Sequence, residues 1–192
     1  LAEKLMKRLF KMPDGFKLES ITYKDAMEKY GCDKPDNRFG LLHHNVTALF
    51  GDSEFGTFKK VANEKGLIKA IFVPGNLGNL SRKDLDGLSE QVRPVGGKGV
   101  AFFKVQGGNR SGGISKFIDD ELFSSLGKCE SGDGTWLFFA DGNESVVHAC
   151  ADVVRRFLGK KFDLMKPIYS FLWVHDFPLL EWNPKLKRFT SM

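Results

Sequence analysis

The sequence predicts an α+β fold, a mixed α/β module in which helices pack on a mixed sheet. Short apolar runs rich in β-branched and aromatic residues recur at 67–73, 99–105 and 135–140. Between them lie segments with helix-start signals, so strands alternate with helices from about residue 54 to 162. The 192 residues are 42% hydrophobic and include 18 Phe, enough for a real core in one large or two small domains.

Leu1, Leu5, Met6 and Leu9 fall on one helical face, and Pro13-Asp14-Gly15 ends that helix. Thr22 can cap a short helix over 23–30, and Gly31 suits the left-handed position that closes it. Residues 45–50 read as a helical turn, and 54–61 and 67–73 as strands. Pro74 opens a loop through Asn79. Ser81 and Asp84 then form a capping box for a helix that runs to Gln91 or Val92. A strand over 99–105 leads into a Gly-rich loop over 106–113 and a helix over 114–126. After the strand at 135–140, Asn143 starts a long helix through Phe162. The aromatic run over 169–180 reads as a buried strand, and 188–191 pairs with its end as a hairpin around Asn183-Pro184.

The formal charge of +5 permits an RNA partner without demanding one, because the basic residues are dispersed. No run has the length of a membrane-spanning helix, and no signal-peptide pattern opens the chain. Cys32, Cys129 and Cys150 lie far apart without a C-x-x-C pair, so they are expected as free thiols in a reducing, cytoplasmic compartment, with zinc and disulfides disfavoured.

Candidate chemistry concentrates in two stretches. The first, Tyr30-Gly31-Cys32-Asp33-Lys34-Pro35-Asp36-Asn37-Arg38, places two acids and two bases behind a helix end. Pro35 stiffens it by forbidding helix and extending Lys34. In the second, residues 171–182, Asp176 interrupts an apolar run and Glu181 lies near its end. A carboxylate there needs a partner or a site, either an ion pair with a core Arg or a place on an active-site floor. Elsewhere the Gly-rich loop lacks Walker and G-x-G-x-x-G spacing, and its Arg110 offers an occasional RNA phosphate contact. Arg155 and Arg156 make the end of the long helix basic, which complements the helix dipole or faces RNA phosphate. His43 and His44 are adjacent, without metal spacing, and are expected at the surface.

These stretches resemble a known family. The segment from Tyr30 to Arg38 is similar to the Tyr-Gly-Ser-Asp-Lys-Pro-Asp-x-Arg segment of bacterial-type aspartyl-tRNA synthetases, with Cys32 in place of Ser. Residues 173–181 resemble that family's Trp-Val-x-Asp-Phe-Pro-x-x-Glu strand, with His175 at the variable position. Between them, Leu80-Ser81-Arg82-Lys83-Asp84-Leu85-Asp86, residues 96–105, Ser115-Lys116-Phe117 and residues 134–140 resemble the inserted GAD domain of those enzymes.

The resemblance implies a piece of an aspartate–tRNA ligase in three parts. These are a catalytic-domain segment after motif 2 (1–40), a GAD-like insertion (41–165) and return strands of the catalytic domain (166–192). It implies ATP, Mg²⁺, aspartate and tRNA for the whole enzyme, with neither ATP nor a metal bound by this piece alone. The whole enzyme would be a homodimer and the piece a monomer without aminoacylation activity. No catalytic residue is expected within it. Asp33, Lys34, Asp36, Arg38, Asp176 and Glu181 are expected near the active site or the tRNA. A noncatalytic GAD module of a tRNA-dependent amidotransferase and a purely structural insertion are the alternatives.

Overall fold

The computed structural model describes residues 2–183 and 186–191. Its centre is a five-stranded sheet built from β2 (His43–Asn45), β3 (Leu67–Pro74), β4 (Ala101–Gln106), β5 (Asn109–Ser111) and β6 (Gly134–Asp141), in the order β2-β3-β6-β4-β5. Every neighbouring pair in that sheet is antiparallel, in contrast to the expected mixed sheet. Parallel pairing occurs elsewhere, between β1 (Glu19–Thr22) and β7 (Leu172–His175), which joins the two ends of the chain. A hairpin of β8 (Leu180–Asn183) and β9 (Arg188–Ser191) follows. The turn expected at Pro184 lies outside the described residues.

The sheet is covered on both faces, which is why its central strands read as continuous apolar runs and not as alternating ones. On one face Ile68, Ala70, Phe72, Phe103, Trp136 and Phe138 meet Phe50, Phe58, Leu122 and Leu126. On the other, Ile71, Val73, Leu137 and Phe139 meet helices α4 (Arg82–Val92) and α6 (Glu144–Lys161) through Leu85, Leu88, Val147, Val154 and Leu158. Full burial of each large apolar side chain contributes about 1.5–3 kcal/mol, so this double cover is the main stabilising feature.

The local signals set several boundaries. α2 (Tyr23–Tyr30) starts where Thr22 accepts from Asp25 N–H and ends at Gly31 with φ +70°. Ser81 and Asp84 form the full reciprocal capping box of α4. Asn143 caps α6.

Three expectations change. Residues 54–61 were expected as a strand, but α3 (Gly56–Asn63) is helical: Phe55, Phe58, Val61 and Ala62 recur at helical spacing and pack on the first core. The expected helix over 114–126 is a 3₁₀ turn, Ser115–Phe117, followed by α5 (Asp120–Gly127), because Ile118 is extended and Asp119 caps the new start. The Gly-rich loop is a tight hairpin: Gly107 and Gly108 have φ +54° and +78°, a turn that matches the twist of β4 and β5.

The expected buried strand over 169–180 is interrupted after His175 by Asp176, whose φ is +57°. Trp173, Leu179 and Trp182 of this region are 55%, 82% and 55% exposed. The first helix, α1 (Ala2–Phe10), likewise buries no residue, and Phe10 reaches across to Tyr169 and Phe171. Among the described residues no helix is long and apolar enough to cross a membrane.

Candidate functional site: the loop between helix α2 and the central sheet

The charged loop leaves α2 through a position only glycine fits. A Cβ on Gly31 would lie 2.4 Å from the His148 carbonyl oxygen and 3.1 Å from His43 Cε1, and the left-handed φ adds strain for any other residue. Its N–H donates to Met27 O at 3.0 Å. The last turn of α2 therefore sits directly against α6 and β2. Lys69, a fully buried residue of β3, reaches up to this turn. Its Nζ donates to Met27 O at 2.8 Å and to Glu28 O at 2.5 Å, with the Glu28 carboxylate 3.7 Å away. A cation at the carboxyl end of a helix satisfies orphan carbonyls and opposes the negative end of the dipole. Burial lowers the Lys69 pKa to about 8, with Glu28 acting against the shift.

Beyond Gly31 the loop folds on itself. Cys32 Sγ accepts from Lys34 N–H at 3.3 Å, and Lys34 Nζ lies 2.6 Å from Asp33. That pair is exposed on the lysine side and contributes little. Asp36 and Arg38 form a tighter unit. The Asp36 carboxylate accepts from Arg38 backbone N–H at 3.1 Å, from Nε at 2.9 Å and from Nη2 at 2.7 Å. This fork holds the Asp36 pKa below its ordinary value against the opposing effect of burial. Arg38 lines both a groove with Met12, Ile168 and Tyr169 and a second one with Tyr30, Asn37, Leu164 and Lys166.

Arg155 fixes the loop from the interior. It is 0% exposed, and its Nη2 donates to the carbonyls of Asp36 at 2.9 Å, Phe39 at 2.7 Å and Gly40 at 3.0 Å. Its guanidinium carbon stands 4.0 Å from the Phe39 ring centre and 4.8 Å from that of Tyr30. Gly159, one turn on in α6, admits the Phe39 ring where a Cβ would lie 2.6 Å from it. Burial lowers the Arg155 pKa from its ordinary value, opposed by Tyr30 and Asp36. Of the two readings of Arg155, the one that faces RNA phosphate is thus corrected: Nη2 serves three carbonyls, the guanidinium face lies against two rings, and the whole group is out of reach of solvent.

The other candidates disperse. Arg110 donates to Ile118 O at 2.8 Å, pairs with Asp120 at 2.6 Å and lies 5.1 Å from the Phe123 ring centre, tying the Gly-rich hairpin to α5. Arg156, half exposed, pairs with Asp152 one turn earlier. Asp176 is 74% exposed at its side chain and lies 3.1 Å from His175 Nδ1, not against a core arginine, and Glu181 is exposed. Burial raises the Tyr23 pKa, and the charges of Asp33 and Glu181, one from each candidate stretch, add to that shift.

Sequence reasoning missed the buried basic cluster beneath the loop. His43, expected at the surface, is 4% exposed, and burial holds its pKa well below the ordinary value with Lys69, Arg155 and His148 adding to the effect. His148 is lowered to about 4, by burial first and then by Lys69. The lysine inside the apolar run Leu67-Ile68-Lys69-Ala70-Ile71 was the available signal. Among the described residues no group of three His, Cys, Asp or Glu side chains could hold a metal ion.

The GAD domain family matches residues 58–150, which is α3 through the middle of α6. The segment is a GAD domain. The match to known ligases extends past it on both sides. The aspartate–tRNA ligase of Halalkalibacterium halodurans is 38% identical over 98% of this chain. The aspartate–tRNA(Asp/Asn) ligases of Aquifex aeolicus and Bacillus subtilis are 41% and 38% identical over 100% and 98% of it. The chain spans about a third of the length of these curated relatives, 32–33%. It corresponds, over nearly its whole length, to one stretch of a bacterial aspartate–tRNA ligase that includes the GAD domain.

Proposed function

We propose that this chain is the GAD insertion of an aspartate–tRNA ligase together with the catalytic-domain segments that flank it, residues 1–40 and 166–192. The observation that carries the reading is the extent of the match. Relatives named as aspartate–tRNA ligases align across both flanks as well as across the GAD domain. The GAD domain of an amidotransferase subunit would not bring the flanks with it.

In the whole cytoplasmic enzyme, aspartate's carboxylate attacks the α-phosphorus of ATP and pyrophosphate leaves, giving aspartyl-adenylate. A hydroxyl of the terminal tRNA ribose then attacks the acyl carbon and AMP leaves. Such chemistry rests on positioning and charge stabilisation and needs no protein nucleophile. Mg²⁺, bound with the nucleotide, would offset phosphate charge. No ligand set for it is assigned to this stretch, and no step is routed through one of its side chains. Asp33, Lys34, Asp36 and Arg38 sit on the loop that ends the catalytic segment 1–40 and are the residues closest in role to the substrates, with Asp176 and Glu181 as supporting carboxylates.

The test uses the full-length protein. Aspartate-dependent exchange of pyrophosphate into ATP and aspartylation of tRNA are expected, and absence of both overturns the ligase reading. The isolated 192-residue chain is expected to do neither. A yield of aspartyl-adenylate from it would overturn that part.

A second reading concerns the insertion alone. Arg155 and Arg110 are engaged within the protein, which favours a brace for the catalytic segments over a tRNA-contacting surface. Replacing residues 41–165 by a short linker in the full enzyme separates the two. A brace lowers kcat with the KM for tRNA little changed, whereas an RNA surface raises that KM.

A further inference from the structure

We propose that Arg155 is a positioning residue of the ligase, acting from inside the GAD insertion through Asp36 on Arg38. This rests on the ligase reading above and goes beyond it, because it assigns the insertion a defined effect on the flanking catalytic segment.

The connection is continuous and short. Arg155 stands on α6, near its middle, with four of its near neighbours on that helix (Cys150, Ala151, Val154 and Leu158) packed into the core. It therefore has a rigid base. Its Nη2 binds three carbonyls of one loop at 2.7–3.0 Å, one of which is that of Asp36. Asp36 in turn uses its carboxylate to accept three hydrogen bonds from Arg38, two of them in a side-by-side fork. The backbone of Asp36 is thus set by the insertion, and the plane of the Arg38 guanidinium is set by Asp36.

Alternative conformations of the loop are closed off by shape. Tyr30 and Phe39 flank the Arg155 guanidinium, Phe39 fills the space left by Gly159, and Gly31 cannot move outward without losing its contact with the last turn of α2. Lys69 anchors that same turn from β3. Two cations of the insertion, on different elements, therefore grip the two ends of one stretch of the catalytic segment, residues 27–40. Neither faces solvent.

A guanidinium held this way is preorganised for an anionic group. Arg38 lies between two grooves, so a phosphate on either side would meet a donor already oriented. The shared ligand chemistry is a phosphate oxygen, from ATP or from the tRNA end.

A cycle of conservative variants in the full-length ligase tests the relay: R155K, D36N and the double variant. Arg155→Lys keeps the charge but loses the flat guanidinium that lies against the Tyr30 and Phe39 rings, and its shorter side chain withdraws the donor from the three carbonyls that Nη2 reaches. Each single variant is expected to lower the kcat of aspartylation about tenfold or more, since small misplacements of substrate-positioning groups cost up to about 10²-fold. The double variant is expected to be no worse than the weaker single one, because both cut the same chain. An effect seen as a raised KM for ATP in pyrophosphate exchange assigns the phosphate to ATP. An effect confined to acyl transfer assigns it to tRNA.

A kcat for R155K within twofold of wild type, or effects that multiply in the double variant, overturns the relay. Wild-type activity is measured alongside, so this outcome is distinct from failure of the ligase reading, in which wild type itself does not aspartylate tRNA and the relay falls with it. Amide hydrogen exchange on the 192-residue chain gives a readout independent of catalysis. Arg155→Lys should speed exchange of residues 36–40 while leaving β3 and β6 protected, and unchanged protection of 36–40 overturns the proposal even where turnover falls.

Discussion

Gly31 shows how much one backbone position decides here. Its φ of +70° disfavours any side chain, and the space beside it is already filled by the carbonyl of His148. Gly31→Ala combines left-handed strain with a backbone overlap that cannot be relieved by rotating a side chain. A loss of about 2–4 kcal/mol is expected, at the high end for single substitutions, measured by urea denaturation of the chain. A control at Gly40, where a Cβ meets nothing within 4 Å, should cost far less.

The histidine beneath it makes a second prediction. His148 is held at about 4, whereas an unfolded histidine titrates near 6.5. Between those values the unfolded chain binds a proton that the folded chain refuses, so this group's effect on stability is lost as pH falls from about 6.5 through 4. His148→Gln should flatten the fall of melting temperature over that window relative to wild type, and an unchanged slope would exclude His148 as its source. For Lys69 the window lies between about 8 and the ordinary value of 10.5, and its sign is that stability rises with pH.

At the scale of elements, what could be read from the sequence followed the locality of its cause. Helix caps depend on residues two or three apart, so Thr22, Ser81, Asp84 and Asn143 marked their helices correctly. Removing the Ser81 hydroxyl, which accepts from Asp84 N–H and donates to its carboxylate, should cost about 1 kcal/mol in the same urea assay. Asp84 also holds Lys161 of α6 at 2.7 Å, so Asp84→Ala should cost more than Ser81→Ala. A smaller effect of Asp84→Ala would show that the α4–α6 ion pair contributes nothing. Readings failed where tertiary context decided. Phe55 and Phe58 are as suited to a strand as to a helix, and only the core against Phe50 and Phe138 selects α3. The candidate loop was legible as a motif, but its anchors were not. Lys69 and Arg155 lie 41 or more residues away in sequence from the helix end and loop carbonyls they hold, and no local pattern links them.

Across the whole molecule, packing is uneven in a way that bears on where the domain boundary falls. The two cores flank the central sheet, while Leu5, Leu9, Tyr169, Trp173 and Leu179 at the chain ends stay more than half exposed. A cut at residue 40/41, the boundary expected from the motifs, passes through the Arg155 cradle. It removes the carbonyls of Asp36, Phe39 and Gly40, the Phe39 and Tyr30 rings, and the helix end that Lys69 caps. Two buried cations would then lose most of their partners, and an uncompensated buried charge costs far more than a surface pair contributes. The folding unit should accordingly include α2 and the loop: a chain of residues 23–165 should unfold cooperatively at a higher temperature than one of residues 41–165. Substituting Lys69 and Arg155 by Met should narrow that gap, because the shorter chain then leaves no charge stranded. Equal melting temperatures for the two chains with both cations in place would put the boundary at 40/41 and reduce the loop to a passive linker.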